Sequence, residues 1–502
     1  MPGDFEHTSI DFKLAPVFTG GILIVLLHFN VLVHGQEASG IVQSTYSGIN
    51  GVRLNPSGLV NSRVYYDINL ASGDIFLENN FLFIHQEDFS FMNFLRRDPV
   101  LPSAEVPGEG LDYMTGNDLV YGFEQTDLRG PAFSITLGNH AAGFFTRVVT
   151  MTSVDRLPGY LGELFFEGLE YEPLHGIPQD HDKFEAAAAG WWEIGLSYAY
   201  KFREKRFSHW SAGINVRRLW GYAGAKMISN DAQYTVVNDS VIDIQNLDAG
   251  IGFSIPVDYE TNDFPAVGST FRGRGTAFDL GVTFTRKRGV SVNRTYKSYC
   301  QHKYEEYLYK IGVSLLDIGG LNFTENVIDQ RYEGVSAEWR SVDTVEYQNI
   351  NQLTRDLSTV FYGDPEAAST GNESFRLGMP AALSIQADYN YFENAHVATM
   401  VILPLKIQNS QLRRPAQALL SLRYESDIFE VSLPVSLYDF QKPRIGLSAR
   451  LYYVTIGTDK LGGFMGFDDF YGMDFYFSVK FHILKGWCGR YKPSPDCRNF
   501  SF

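Results

Sequence analysis

Met473-Asp474-Phe475-Tyr476-Phe477-Ser478-Val479-Lys480-Phe481-His482-Ile483 decides the fold. The odd positions are all apolar, and the even ones read Asp474, Tyr476, Ser478, Lys480 and His482. A strand sends successive side chains to opposite faces, so this spelling makes one greasy face and one polar face; a helix would scatter both sets around its axis. Outward from this stretch the same dyad recurs. Trp192, Ile194, Leu196, Tyr198, Tyr200 and Phe202 alternate with Glu193, Gly195, Ser197, Ala199 and Lys201. It returns from Phe278 to Thr285, from Tyr307 to Leu315, from Leu383 to Asn390 and from Phe429 to Leu437.

Two architectures write such a pattern, a soluble β-sandwich and a transmembrane β-barrel. Sandwich strands average about 5 or 6 residues, whereas a tilted membrane strand needs about 9 to 11. Many segments here are that long, and their apolar rows carry Tyr, Trp and Phe toward the ends, as aromatic girdles at lipid interfaces do. The opposite faces carry ionisable residues: Glu193, Lys201, Asp279, Lys310, Asp388, Arg423, Glu425, Arg450, Asp474 and Lys480. A wet or salt-bridged lumen accommodates them. The pattern therefore predicts an all-β fold, a transmembrane antiparallel barrel of about 14 strands (12 to 16) with long outer loops.

The expected strands are 64–72, 75–84, 132–138, 142–151, 191–203, 207–222, 227–237, 241–249, 276–288, 304–318, 376–391, 394–409, 416–426, 428–439, 443–457 and 471–484. Long segments fall at 85–131, 152–190, 250–275, 289–303 and 319–375. Short joins such as Arg203-Glu204-Lys205-Arg206 alternate with them, as short periplasmic turns alternate with long outer loops in such barrels.

Composition closes other possibilities. Among 502 residues, 42 are Lys or Arg and 58 are Asp or Glu, a net charge of −16. Nucleic acid is excluded as a partner, because phosphate binding needs a concentrated basic surface. The three cysteines lack the paired spacing of a zinc site, and no metal or cofactor is expected. The apolar run Leu14–Val33 is broken by Gly20, Gly21, His28 and Asn30. With Val33-His34-Gly35 before Gln36 it reads as a signal peptide over 1–35, the competing reading being an uncleaved anchor. An exported chain with no other long apolar run must cross a membrane as strands.

Gly48-Ile49-Asn50-Gly51-Val52-Arg53-Leu54-Asn55-Pro56-Ser57-Gly58-Leu59 resembles the N-terminal Asn-Pro-Ala-Gly segment of FadL-like outer-membrane barrels, with Ser57 where Ala is frequent. Ile194 to Tyr198, Gly213 to Gly221 (GINVRRLWG), Phe278 to Gly281 and Gly312 to Gly319 extend the resemblance. Arg423-Tyr424-Glu425 and Ile445 to Arg450 complete it. Together they look like an uncharacterised outer-membrane barrel family of Bacteroidota over residues 44 to 484. The resemblance implies location in the outer membrane of a Gram-negative envelope, a hatch inside the lumen at Asn55, Pro56, Ser57 and Gly58, and passage of hydrophobic compounds. Related barrels act as partners or shuttles in secretion systems, so the alternative is a plugged scaffold in an envelope or secretion complex. Asn55-Pro56 reads equally as a plain turn into the first strand.

No catalytic motif stands out: G-x-S-x-G, H-E-x-x-H and a phosphate loop are all missing from the sequence, so an enzyme is not expected. His175, Asp180, His181 and Asp182 have ligand-type side chains but irregular spacing, which a solvated loop explains better than a metal. Leu157 to Glu167 spells an amphipathic helix at the rim, whose apolar side packs on the barrel wall, the alternative being that it gates the mouth or binds a partner. The expected organisation is a signal peptide (1–35), a luminal segment (36–60), a barrel (61–484) and a periplasmic tail (485–502). The expected partners are the lipid bilayer, a hydrophobic small molecule and an envelope protein. In the tail, Cys488 and Cys497 close a ten-residue loop that a periplasmic disulfide would stabilise by roughly 2 to 3 kcal/mol; two free thiols are the alternative.

Overall fold

The computed structural model describes residues 38–86, 110–262, 264, 269–288, 304, 306–342, 349–369, 373–392, 394–440, 443–465, 467 and 469–484. The expected signal peptide, Cys300 and the tail with Cys488 and Cys497 lie outside the described residues. Fourteen strands form the wall. In chain order they are β1 (Tyr66–Asn79), β2 (Leu119–Leu137), β3 (His140–Pro158), β4 (Phe184–Lys205) and β5 (Ser208–Asn238). Next come β6 (Gly273–Lys287), β7 (Tyr307–Phe323), β8 (Phe375–Gly378 and Ala382–Phe392), β9 (Ala395–Pro404) and β10 (Gln417–Glu425). The last four are β11 (Phe429–Tyr438), β12 (Pro443–Ile445 and Leu447–Leu451), β13 (Val454–Thr458) and β14 (Asp474–Ile483).

Each strand pairs antiparallel with its neighbours in the series. The sheet closes where β1 meets β14, from Tyr66 opposite Ile483 to Phe76 opposite Asp474. Closure matters physically, because an open edge would leave unpaired amides in lipid. No described helix is long and apolar enough to cross a membrane. The alternation read in the sequence sets which way the wall faces. On β4, Leu196, Tyr198, Tyr200 and Phe202 are exposed, whereas Glu193, Ser197, Ala199 and Lys201 are buried. Leu422 and Tyr424 on β10, Leu433 and Val435 on β11, and Ile456 on β13 continue the outer apolar belt. An apolar exterior around a polar, closed interior is the construction of an outer-membrane barrel, and the protein is one.

Several strand boundaries differ from the sequence reading. Residues 64–72 and 75–79 fall in one strand, β1, while Leu82–Ile84 pairs separately with Leu111–Tyr113; 207–222 and 227–237 are one strand, β5. The segment 443–457 is two strands, joined by Tyr452-Tyr453. Val241–Ser254 is absent from the wall: it pairs with the upper half of β5 and with Ile328–Arg340. Periodicity finds strands but not which neighbour they meet, and β5, at 31 residues, is far longer than a membrane needs. Its upper half projects as a crown. The segment 319–375 is correspondingly not a plain loop, since it holds Ile328–Arg340 and the helix Ile350–Tyr362. The long segment 289–303 lies outside the described residues; the described parts of the other four sit at the crown end, and the short turns such as Gly138-Asn139 and Arg206-Phe207 at the opposite one. That end is periplasmic by the rule for such barrels.

The amphipathic stretch forms the helix Gly159–Glu167. Leu161 and Leu164 pack with Val236, Ile244, Trp339 and the helix residues Leu353 and Leu357, so its apolar face serves the crown rather than the wall.

Candidate functional site

Each of the ten ionisable residues singled out from the dyad pattern is on the lumen side. What they meet there is not water. Residues 38–62 run as three short turns through the barrel interior: Ser39–Val42, Gly48–Arg53 and Pro56–Asn61. Ile49, Val52, Leu59 and Val60 pack on Ala132, Ala141, Phe145 and Ala199 of the wall. Val42 and Leu54 pack on Ala382, Met400, Ile402 and Leu419 across from them.

The Asn55-Pro56-Ser57-Gly58 turn docks with its polar groups satisfied. Asn55 Oδ1 accepts from Ser57 N (3.0 Å) and Ser57 Oγ (2.6 Å). Asn55 Nδ2 donates to Gln386 Oε1 at 3.0 Å and Thr283 Oγ1 at 3.3 Å. Three wall glycines make room for it. A Cβ at Gly213 would stand 2.5 Å from the Pro56 carbonyl carbon, one at Gly281 would stand 2.1 Å from Asn55 Oδ1, and one at Gly312 would stand 2.7 Å from Asn55 Nδ2. These three belong to the GINVRRLWG, FDLG and GVSLLDIG stretches, so one glycine in each string has a physical reason in the cradle they form. Gly58 meets nothing within 4 Å and is the freest member of the turn.

Above the turn lies a charge layer. Arg217 reaches Asp279 (2.7 Å), Asp317 (2.8 Å) and Glu193 (3.5 Å). Arg147 bonds Asp127 (2.9 Å) and Glu193 (3.3 Å), and Arg53 of the luminal segment reaches Asp74 (2.7 Å) and Asp127 (2.9 Å). Arg129 and Arg414 complete the layer on Asp127 and Asp317. Five arginines thus meet five carboxylates, and the layer carries no net charge. Sequence reading found Glu193 and Asp279 but missed the rest. Arg217 and Asp317 lay in view, in GINVRRLWG and GVSLLDIG, beside the residues that were named.

A second group occupies the periplasmic end. Arg423 bridges Asp388 (2.8 Å) and Glu425, Arg450 meets Glu430 (3.1 Å), and His396 stands 3.5 Å from Asp388, with Lys310 at 4.0 Å from the same carboxylate. The luminal segment bonds here too: Thr45 N donates to Glu425 Oε1 (3.0 Å) and Ser44 Oγ to Glu430 Oε2 (2.7 Å). Lys480 pairs with Asp67 at 3.5 Å and donates to the carbonyls of Tyr46 and Ser47. Asp474 is buried on the crown side of β14, apart from this group. Lys201 is buried near the periplasmic end, its backbone N–H donating to Asn139 O at 2.9 Å.

Besides these charged groups the lumen holds an apolar cluster. Trp191, Leu219, Leu321, Phe323, Phe375 and Leu377 form one buried cluster with Val149 and Met151, and Trp191 Nε1 donates to Glu193 at 2.9 Å. Beside the luminal segment, the cavity between Ala38, Ile41, Val42, Arg53, Ser72 and Asp127 holds about 10 Å³, room for about one water at most. No group of described His, Cys, Asp or Glu side chains could hold a metal ion. His175 Nε2 bonds Leu169 O, His181 Nε2 bonds Tyr234 OH, and Asp180 faces Gln233, so those loop residues have separate partners. Burial lowers the pKa of His181, which favours its neutral ring.

The model of a family described as "Family of unknown function (DUF5723)" matches residues 56–459, and the chain belongs to that family. No curated protein matches. Among solved structures, a mutant of the TodX monoaromatic hydrocarbon channel is similar at 8% identity and TM-score 0.41, over 90% of this chain and all of that one. A Pseudomonas aeruginosa FadL homologue gives 9%, TM-score 0.30, 90% and 99%. The translocator domain of the autotransporter NalP from Neisseria meningitidis gives 8%, TM-score 0.32, 89% and 100%.

Proposed function

From membership of a family without an assigned activity, we propose that this outer-membrane barrel is a plugged scaffold, its lumen a structural core and its crown the surface that engages an envelope partner. One observation carries the reading: the luminal segment hydrogen-bonds or ion-pairs with side chains of β1, β2, β5, β6, β7, β8, β10, β11 and β14, while buried ion pairs fill the interior around it. Opening such a path would strand several charges at once, and removing one partner of a buried pair costs about 3 to 5 kcal/mol. The reading is non-enzymatic.

The test joins two measurements. Purified protein in planar bilayers is expected to show no conductance, and its liposomes no uptake of a monoaromatic probe. A photo-crosslinker at Tyr171 or Val237, exposed on the crown, is expected to give one discrete adduct in intact envelopes. Steady uptake by wild-type liposomes would refute the scaffold.

A second reading, passage of small hydrophobic compounds, is favoured by a break in the wall. Pairing between β1 and β2 skips from Asn69–Ala132 to Ser72–Arg129, and β2 skips Gly130-Pro131 against β3. Gly130 has φ +131° and a Cβ there would stand 2.3 Å from Leu70 O, so only glycine fits this close approach. The break adjoins the small cavity at Ser72 and Arg129, where a ligand entering from the membrane would first meet the luminal segment.

A further inference from the structure

A cavity of about 280 Å³ lies at the crown mouth of the barrel, clear of the luminal segment. Three cations surround it, Lys226 of β5, Arg331 of the crown strand Ile328–Arg340, and Arg376 of β8, against a single acid, Asp329. Lys226 is neutralised: its Nζ lies 2.8 Å from Asp329 and 5.2 Å from the Phe375 ring centroid. The two arginines are exposed, and among the described residues neither makes an ion pair. Asn409, Ser374 and Ser410 add neutral hydrogen-bonding residues to the lining. Phe375 of the lining stacks on Phe323, ring centroids 5.1 Å apart.

We propose that this cavity binds a small anionic sugar, one phosphate or carboxylate paired with Arg331 and Arg376 and its hydroxyls facing Asn409, Ser374 and Ser410. A guanidinium recognises either anion through two parallel N–H bonds, and the volume is near the lower end for small-ligand sites. The same chemistry is offered by a free sugar phosphate and by the phosphorylated sugar headgroup of an outer-leaflet glycolipid. The proposal is independent of whether the lumen conducts.

Binding is measured calorimetrically on the full-length protein in detergent, with glucose 6-phosphate, glucuronate and glucose as free probes and lipopolysaccharide micelles as the lipid probe. Binding of a charged probe but not glucose, weakened at least tenfold in both R331Q and R376Q, supports the site; the probe that binds, free or micellar, identifies the source. Circular dichroism and heat-modifiable migration of both variants check that they fold, which two exposed side chains should permit. The proposal fails if no charged probe binds wild type, if glucose binds equally well, or if both variants bind as wild type does.

Discussion

Arg53, carried by the luminal segment, lies 2.9 Å from Asp127 of β2, and the same guanidinium reaches Asp74 of β1 at 2.7 Å. One side chain therefore ties the plug to two adjacent wall strands. Asp127 also has Arg147 and Arg129. Replacing Arg53 by Met should remove a partner from both carboxylates, at a cost of about 3 kcal/mol. Urea unfolding in detergent, followed by heat-modifiable migration, measures it. The double variant R53M/D74N should recover more than half of the loss, and no recovery would mean that Arg53 acts through packing alone.

The glycine cradle predicts a steric failure. G281V should expel the Asn55-Pro56 turn, because even a single Cβ there stands 2.1 Å from Asn55 Oδ1. The barrel wall should still close, since outward packing is untouched. Protease sensitivity of residues 38–62 in folded protein is the readout, with a rise of tenfold or more expected. Wild-type protection in the variant would remove the cradle assignment.

Leu433 of β11 is exposed on the outer wall, while Ser432 beside it is buried and shares a 2.8 Å hydrogen bond with Ser448. Arg at Leu433 should cost roughly 2 to 4 kcal/mol of assembly energy if it sits at mid-bilayer. Leu433→Phe should be nearly neutral. Folding into lipid vesicles, titrated with denaturant, separates the two; equal tolerance would contradict the lipid-facing assignment.

Ala38 is 3% exposed, packed with Ile41 and Tyr476 within the barrel. The apolar run Leu14–Val33 reads as a signal peptide over 1–35. The mature chain is therefore expected to start near Gln36, and intact-mass spectrometry of the membrane-extracted protein reads the N-terminus directly. A mass including Met1 would replace the signal peptide by an anchor.

For the tail, the expectation rests on spacing alone: Cys488 and Cys497 pair, leaving Cys300 reduced. Thiol labelling of unfolded, unreduced protein should find one reactive cysteine per chain. Three would defeat the pairing.

The sequence by itself determined the class of fold and the sidedness of the wall. Period-two alternation is a local property: once Leu196 faces lipid, Glu193 and Lys201 must face inward, whatever the strands pair with. Tertiary structure alone decided what the inward residues meet. Glu193 and Asp279 are 86 positions apart in the sequence, yet both bond Arg217, because β4 and β6 flank β5. No local pattern carries that adjacency, so Arg147, Asp127 and Arg414 could not be recognised as members of one balanced layer. The crown was hidden for the same reason: Val241–Ser254 alternates as wall strands do, and only its pairing with the overlong β5 lifts it out of the barrel. Gly213, Gly281 and Gly312 were legible as members of GINVRRLWG, FDLG and GVSLLDIG, but their cause, the close approach of the Asn55-Pro56 turn from about 150 to 260 residues away, exists only once the barrel has closed around it.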